Sequence, residues 1–125
     1  DIPPIAIRST SVQNVCSTLT STVRDVPKSL KKLVYIRDGG NLNRTSDYEV
    51  DHRISLSVGG SNDIENLKLQ SLFGSCNALD KDKLELKLHT LVCKGKLPLS
   101  DAQEILYNNW EIGYKKYINS TGCKR

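Results

Sequence analysis

The sequence contains no methionine, one tryptophan, one phenylalanine and no long apolar run. A membrane-spanning helix needs about 18 consecutive apolar residues, and no stretch approaches that length. The chain opens at Asp1 without an initiating Met or an apolar leader, as a processed, secreted mature form would. No two cysteines are spaced as CxxC, which removes the zinc-ribbon and thioredoxin patterns. Internal repeats, low-complexity segments and an interdomain linker are also missing. Residues 1–125 are therefore expected to form a single domain.

What is present suits a folded chain of modest size. Its 125 residues are 38% hydrophobic and 26% charged, ordinary values for a globular protein. The net charge of +4 fits either an anionic partner or a merely solvated surface. Four cysteines, Cys16, Cys76, Cys93 and Cys123, are an even number in a small chain. Two disulfides are the simpler reading, with three connectivities open and four buried thiols as the alternative. Asn43 and Asn119 each begin an Asn-x-Ser/Thr tripeptide, which agrees with secretion and marks two glycosylation candidates.

Residues 1–22, rich in Ser, Thr, Pro and Val, lack helical periodicity and read as an arm of loop or short strand held by Cys16. Asp25 is placed to cap a helix starting near Pro27. Leu30, Leu33, Val34 and Ile36 would form its apolar side, and Gly39-Gly40 its end. Lys28, Lys31, Lys32 and Arg37 fall on the wetter side, either as a solvated face or as one that tracks phosphates. Apolar residues at Tyr48, Val50, Ile54, Leu56 and Val58 keep a period of two, which suits a hairpin. Gly59-Gly60-Ser61-Asn62 supplies a turn, Asp63 to Asn66 a helical turn, and 67–70 a second short strand.

Ser75 is a plausible N-cap for a helix over about 76–93, with Leu84, Leu88, Leu91 and Val92 as its core stripe. Asn77, Lys81, Glu85 and His89 recur every fourth residue and share another face. Ser100 and Gln103 form a capping box for a last helix over about 101–118. Trp110, Tyr107, Tyr114 and Tyr117 read as core rather than as a base-stacking platform.

The stretch 48–83 carries the chemistry. Phosphodiester hydrolysis needs a base for water, a cation to offset charge on the phosphate, and a means of holding the phosphate in line. His52 has a suitable pKa for the base. Asp51 precedes it and would face the opposite way on an extended backbone, toward a metal. Asn77 offers an amide oxygen, a hard ligand acceptable to magnesium or manganese. Lys81, one turn further on, can reach a phosphate as a point charge. His89 lies about 18 Å along the helix from Asn77, too far to share its ion.

The ordered set DHxxxL, GGxN, NL and CNxxxK resembles the core of the HNH nuclease family, the ββα-metal fold. The resemblance implies an α+β fold: a ββα-metal core with a short two-stranded hairpin and flanking α-helices, stabilised here by disulfides. It implies His52 as general base, Asp51 and Asn77 as ligands of one divalent metal ion, and Asn66 as the brace of the loop carrying the base. Magnesium is the first expectation for that ion, with manganese and zinc as alternatives. Lys81 would contact the nucleic-acid backbone and Arg53 would either contact a phosphate or simply be exposed, while Glu85 and His89 would be a hydrogen-bonded supporting pair. The segments VRDVPKSLKKLVYIRDGG and KDKLELKLHTLVCKGKLPLSDAQEILYNNWEIGYKKY look like the flanks of a group of small, mostly bacterial, secreted HNH-like proteins.

Two positions depart from the family pattern: Ser55 stands where proline is usual, and Arg53 where an aliphatic residue is usual. The implied activity is a secreted, metal-dependent endonuclease of low sequence specificity. It would act on DNA and secondarily RNA, as a monomer and without membrane association. Nothing resembles a base-reading helix, so phosphate contacts would dominate binding. The alternative is a weak or inactive HNH-like scaffold serving as a secreted binding or effector protein; a disulfide-stabilised interaction protein with a coincidental motif is the third.

Overall fold

The computed structural model describes residues 1–123. The N-terminal arm folds more than its composition suggests. It contains a 3-10 turn at Pro4–Ala6 and two short helices, α1 (Val12–Ser17) and α2 (Thr20–Val23). Ser11 caps α1 by accepting from the Asn14 backbone N–H. Ala6 and Val15 are buried, so tertiary contact supplies the order that a six-residue helix cannot supply alone. Helix α3 (Lys28–Arg37) starts at an N-cap position held by Pro27, not by the expected Asp25. Only Val34 and Tyr35 on it are buried; Leu33 and Ile36, expected inside, face solvent.

Strand β1 (Tyr48–His52) pairs antiparallel with β2 (Leu67–Ser71), placing Asp51 opposite Lys68 and His52 opposite Leu67. The alternation expected to continue to Val58 stops at His52. Beyond it the chain turns inward through Ile54 and a 3-10 turn at Leu56–Val58, with Ile54, Leu56 and Val58 buried. Gly60 allows this: a Cβ there would lie 1.8 Å from the carbonyl oxygen of Ile54. Gly59, at φ +87°, reverses the chain beside the carbonyl of Ser9. The α3 end is fastened to β2 by Arg37, which donates to the carbonyls of Ile64 and Leu67, and by Asp38, which accepts from the Leu69 N–H. Arg37 is thereby engaged by backbone carbonyls and by Asp38, so although its side chain is exposed it is not part of a free cationic face.

Helix α4 (Ala78–Cys93) follows the hairpin, completing the ββα order, and α5 (Leu99–Tyr117) packs along it. Leu84, Leu88 and Val92 of α4 meet Ala102, Leu106, Trp110 and Tyr114 of α5, with Val15, Ile54 and Val58 closing the core. Pro98, not Ser100, occupies the N-cap of α5. Gln103 is drawn away from the expected capping box, because its Nε2 donates to the carbonyls of Ser9 and Val58. The helix breaks at Asn109, whose extended dihedrals are offset by its Oδ1 accepting from the Glu111 N–H. Disulfides join Cys16 to Cys93 and Cys76 to Cys123.

Asn66 holds the inward turn. It is fully buried; its Oδ1 accepts from the Ile54 N–H at 2.8 Å, and its Nδ2 donates to the carbonyls of Ile54 and Ser61. Truncation strands one donor and two acceptors in the interior. Asn66→Ala is expected to lower the unfolding free energy by about 3 kcal/mol or more in urea denaturation; a loss below about 1 kcal/mol would mean that the turn does not need its brace.

Candidate active site

The end of β1 places Asp51 and His52 in the wall of a cleft of about 250 Å³, lined also by Arg24, Glu49, Ser55, Leu56, Asp82 and Glu85. His52 is only 4% exposed, and its Nε2 lies 3.0 Å from Asn62 Oδ1. The orientation of that amide follows from its other partners. Its Nδ2 donates to the Val23 carbonyl at 2.6 Å, and its Oδ1 accepts from the Asp25 N–H at 3.2 Å. Oδ1 must then accept from His52, so Nε2 carries the proton and the lone pair of the neutral ring sits on Nδ1. Burial pushes the imidazole pKa below its usual value, against the opposing pull of the Asn62 hydrogen bond. The neutral, proton-accepting form is therefore the resting one. Asn62 reads in the sequence as a turn residue only. The one available signal for its role is its place in GGxN, ten residues after the histidine.

Lys81 lies elsewhere than its expected role requires. Its ammonium is buried, 3% exposed, and donates to Asp51 Oδ2 at 2.5 Å and to the His52 carbonyl at 2.6 Å. Glu85 Oε2 stands 3.5 Å away on the same side. Lys81 thus ties α4 to the end of β1 and does not reach outward to a phosphate. The four-residue spacing from Asn77 does mark one face of the helix, but that face points inward.

Asn77 is the N-cap of α4, the place expected for Ser75. Its Oδ1 accepts from the backbone N–H groups of Leu79 and Asp80, and its Nδ2 donates to the Gly74 carbonyl. Both lone pairs of the oxygen are engaged, which corrects the expectation that it would ligate a metal. Arg53 is also tied down: it stacks 3.6 Å from the Tyr107 ring centroid and donates to the Tyr107 carbonyl. His89 is separate from Glu85. Its Nε2 approaches the Val15 carbonyl at 3.2 Å and Cys93 Sγ at 3.6 Å. The Cys16, His89 and Cys93 ligand atoms do cluster, but both sulfurs are spent in the disulfide. Asn43 lies on an exposed loop; Asn119 is exposed too, its Oδ1 accepting from Thr121.

The cleft is rich in acid. Glu49, Asp51, Asp82 and Glu85 face two cations, Arg24 and Lys81. Burial, reinforced by neighbouring carboxylates, raises the pKa of Glu49 and of Asp82. For Glu85 burial is dominant and pushes the carboxyl up to about 8. Its Oε2 is buried without a hydrogen-bond partner. A buried carboxyl oxygen whose near partner is the Lys81 ammonium at 3.5 Å, in a wall with further carboxylates, offers the oxygen chemistry a hard divalent cation takes. By chemistry Asp51, Glu85 and Asp82 are the residues of this wall that would hold such an ion, although among the described residues they do not form a preassembled cluster and Lys81 lies against the first two.

Residues 38–83 match the family model of the HNH endonuclease. That stretch, less than half of the chain, is similar to the HNH endonuclease family. The HNH family is one of nucleases that typically use a divalent metal, and the matched stretch runs from the end of α3 through the hairpin into α4. No curated protein and no solved structure matches the chain.

Glu85 provides a test of this electrostatic picture. Its unfolded carboxyl ionises near the ordinary 4.5, whereas the folded one stays protonated up to about 8. Between those values the folded state binds more protons, so wild-type stability falls as pH rises. In metal-free protein, Glu85→Gln is expected to raise the melting temperature more at pH 8 than at pH 5, measured by calorimetry at both. An equal change at the two pH values would show that the carboxyl is not held in a desolvated place.

Proposed function

We propose that the chain is a secreted, metal-dependent endonuclease hydrolysing phosphodiester bonds in DNA, with RNA as a second substrate and with little sequence preference. The observation that carries this reading is the hydrogen bond between His52 Nε2 and Asn62 Oδ1, made by a residue that lines a cleft walled by carboxylates. With Nε2–H donating to Asn62, the neutral imidazole keeps Nδ1 as its proton acceptor. His52 is the general base, accepting a proton from the attacking water at Nδ1. Asn62 stabilises the imidazolium that forms by keeping its bond to Nε2. Asn66 braces the turn just past His52 and so fixes the direction of the ring.

Asp51 and Glu85 would hold the metal, and a bound magnesium or manganese ion would offset charge on the phosphate and on the leaving oxygen. Lys81 orients Asp51 and the His52 carbonyl, and acts as a positioning residue. The two disulfides and the two exposed sequons support an oxidising, extracellular destination. One observation favours the alternative, a scaffold without turnover: the Lys81 ammonium already neutralises Asp51, the residue a metal would need.

Nicking of supercoiled plasmid separates the two readings. Wild-type protein is expected to cut with magnesium or manganese and to stop on addition of EDTA. His52→Ala should slow cleavage by roughly a hundred- to ten-thousandfold, whereas His89→Ala should leave it intact. Absence of cutting with magnesium, manganese and zinc alike would establish the scaffold reading.

A further inference from the structure

A groove of about 670 Å³ runs beside the cleft, between α3 and the start of β1. Lys28, Lys31 and Lys32 form one wall; Tyr48, Leu42 and Val50 supply an aromatic and aliphatic floor. All three lysines are exposed, and among the described residues none of them is in an ion pair. Their spacing puts them on one side of α3, together with Tyr35, whose ring is buried at the base of the same groove. Tyr48 is 38% exposed, an unusual state for a large aromatic ring at a strand start. Its backbone is nonetheless pinned: Tyr35 Oη donates to the carbonyls of Thr45 and Tyr48 at 3.0 and 3.3 Å. Glu49 lines both the groove and the cleft, so the two adjoin at that residue.

We propose that this groove is the substrate-strand site, binding a single-stranded segment of nucleic acid with its phosphates on Lys28, Lys31 and Lys32 and a base stacked on Tyr48. A cationic wall with an aromatic floor matches the two faces of an unpaired strand, charged backbone on one side and flat bases on the other. A duplex presents only its sugar-phosphate surface and would leave the apolar floor unused. The cleft holds more acids than cations, so attraction of a polyanion has to come largely from outside it, and the groove is a neighbouring surface whose three lysines are in no ion pair among the described residues. Glu49, at the junction, keeps the phosphates on the lysine side until the strand turns toward His52. The catalytic role of the cleft rests on the function proposed above; strand binding in the groove does not require it.

The test is fluorescence anisotropy with the disulfide-intact chain in EDTA, where no cleavage is expected, using a labelled oligothymidine 12-mer and a duplex of equal length. Replacing Lys28, Lys31 and Lys32 together by Ala should weaken single-strand binding at least tenfold. It should also lower the slope of log affinity against log salt by about 2, because each neutralised phosphate of a single strand adds about 0.7 to that slope. Tyr48→Ala should weaken binding at least fivefold, as removal of one stacking platform predicts, with Tyr48→Phe retaining it. A control triple variant, Lys87, Lys94 and Lys96 to Ala, removes equal charge elsewhere and should bind almost as wild type does. Equal weakening in the two triple variants, or tighter binding of duplex together with indifference to Tyr48→Ala, would overturn the proposal. Binding without any metal-dependent cutting would sink the hydrolytic reading and leave the groove standing. Cutting with unchanged binding in the lysine variant would do the reverse.

Discussion

A single buried ammonium organises the site. Lys81 donates to a side-chain oxygen of Asp51 and to the main-chain oxygen of His52, so one group fixes consecutive residues in the positions they need. Stripping an ammonium of water costs several kcal/mol, and only close partners offset that. Here they come from β1, the element whose end must be held against α4. Breaking the pair from either side leaves a buried charge without its counterpart, an outcome far more costly than the pair's own net contribution. The ladder gives out just past His52 for a different reason: the Arg53 N–H still donates to the Asn66 carbonyl, but the Asn66 N–H turns back to the Asp63 carbonyl.

Helix α4 is in turn clamped at both ends. Cys76 precedes its cap and joins Cys123, while Cys93 is its last residue and joins Cys16. The sequence separations, 47 and 77 residues, place each cross-link in the range where restriction of the unfolded chain is worth on the order of 4 kcal/mol. The same bonds attach the N-terminal arm and the C-terminal tail to opposite ends of the helix that bears Lys81 and Glu85. A chain of this size has a small core, and these links let it carry several buried acids and a buried ammonium without losing its shape.

Much of this is legible in the residues, and the failures have specific causes. The hairpin follows from alternation and from the Gly59-Gly60 turn, and the α4–α5 core from spacing at Leu84, Leu88, Leu106 and Tyr114. Asn77 misleads because capping and metal ligation use the same amide oxygen, and spacing cannot tell them apart. Lys81 misleads because helical periodicity shows which residues share a face but not whether that face is wet. The arm reads as loop because six residues are too few to show a period, and its order comes from contacts with Gly59, Gly60 and Gln103. Asn62 is hidden because an asparagine after two glycines has an adequate local explanation as a turn.

The acids of the cleft impose an order of events on any phosphodiester chemistry there. A cleft with four carboxyl groups and two cations repels a phosphate more strongly than it attracts one. A bound divalent cation would supply the positive charge that reverses this balance, with Glu85, whose carboxyl pKa is raised by burial, among the residues that would hold it. Lys81 cannot perform that reversal, since its donors are already committed to Asp51 and the His52 carbonyl. On the reading proposed above, substrate capture and substrate activation would be separated in space. The lysines of α3 lie outside the cleft, and the acids lie within it. A lysine wall placed directly over His52 would compete with that cation for Asp51 and Glu85 and would raise the charge cost of protonating the imidazole. Distance between the two surfaces, with Glu49 at their border, lets one small domain hold both.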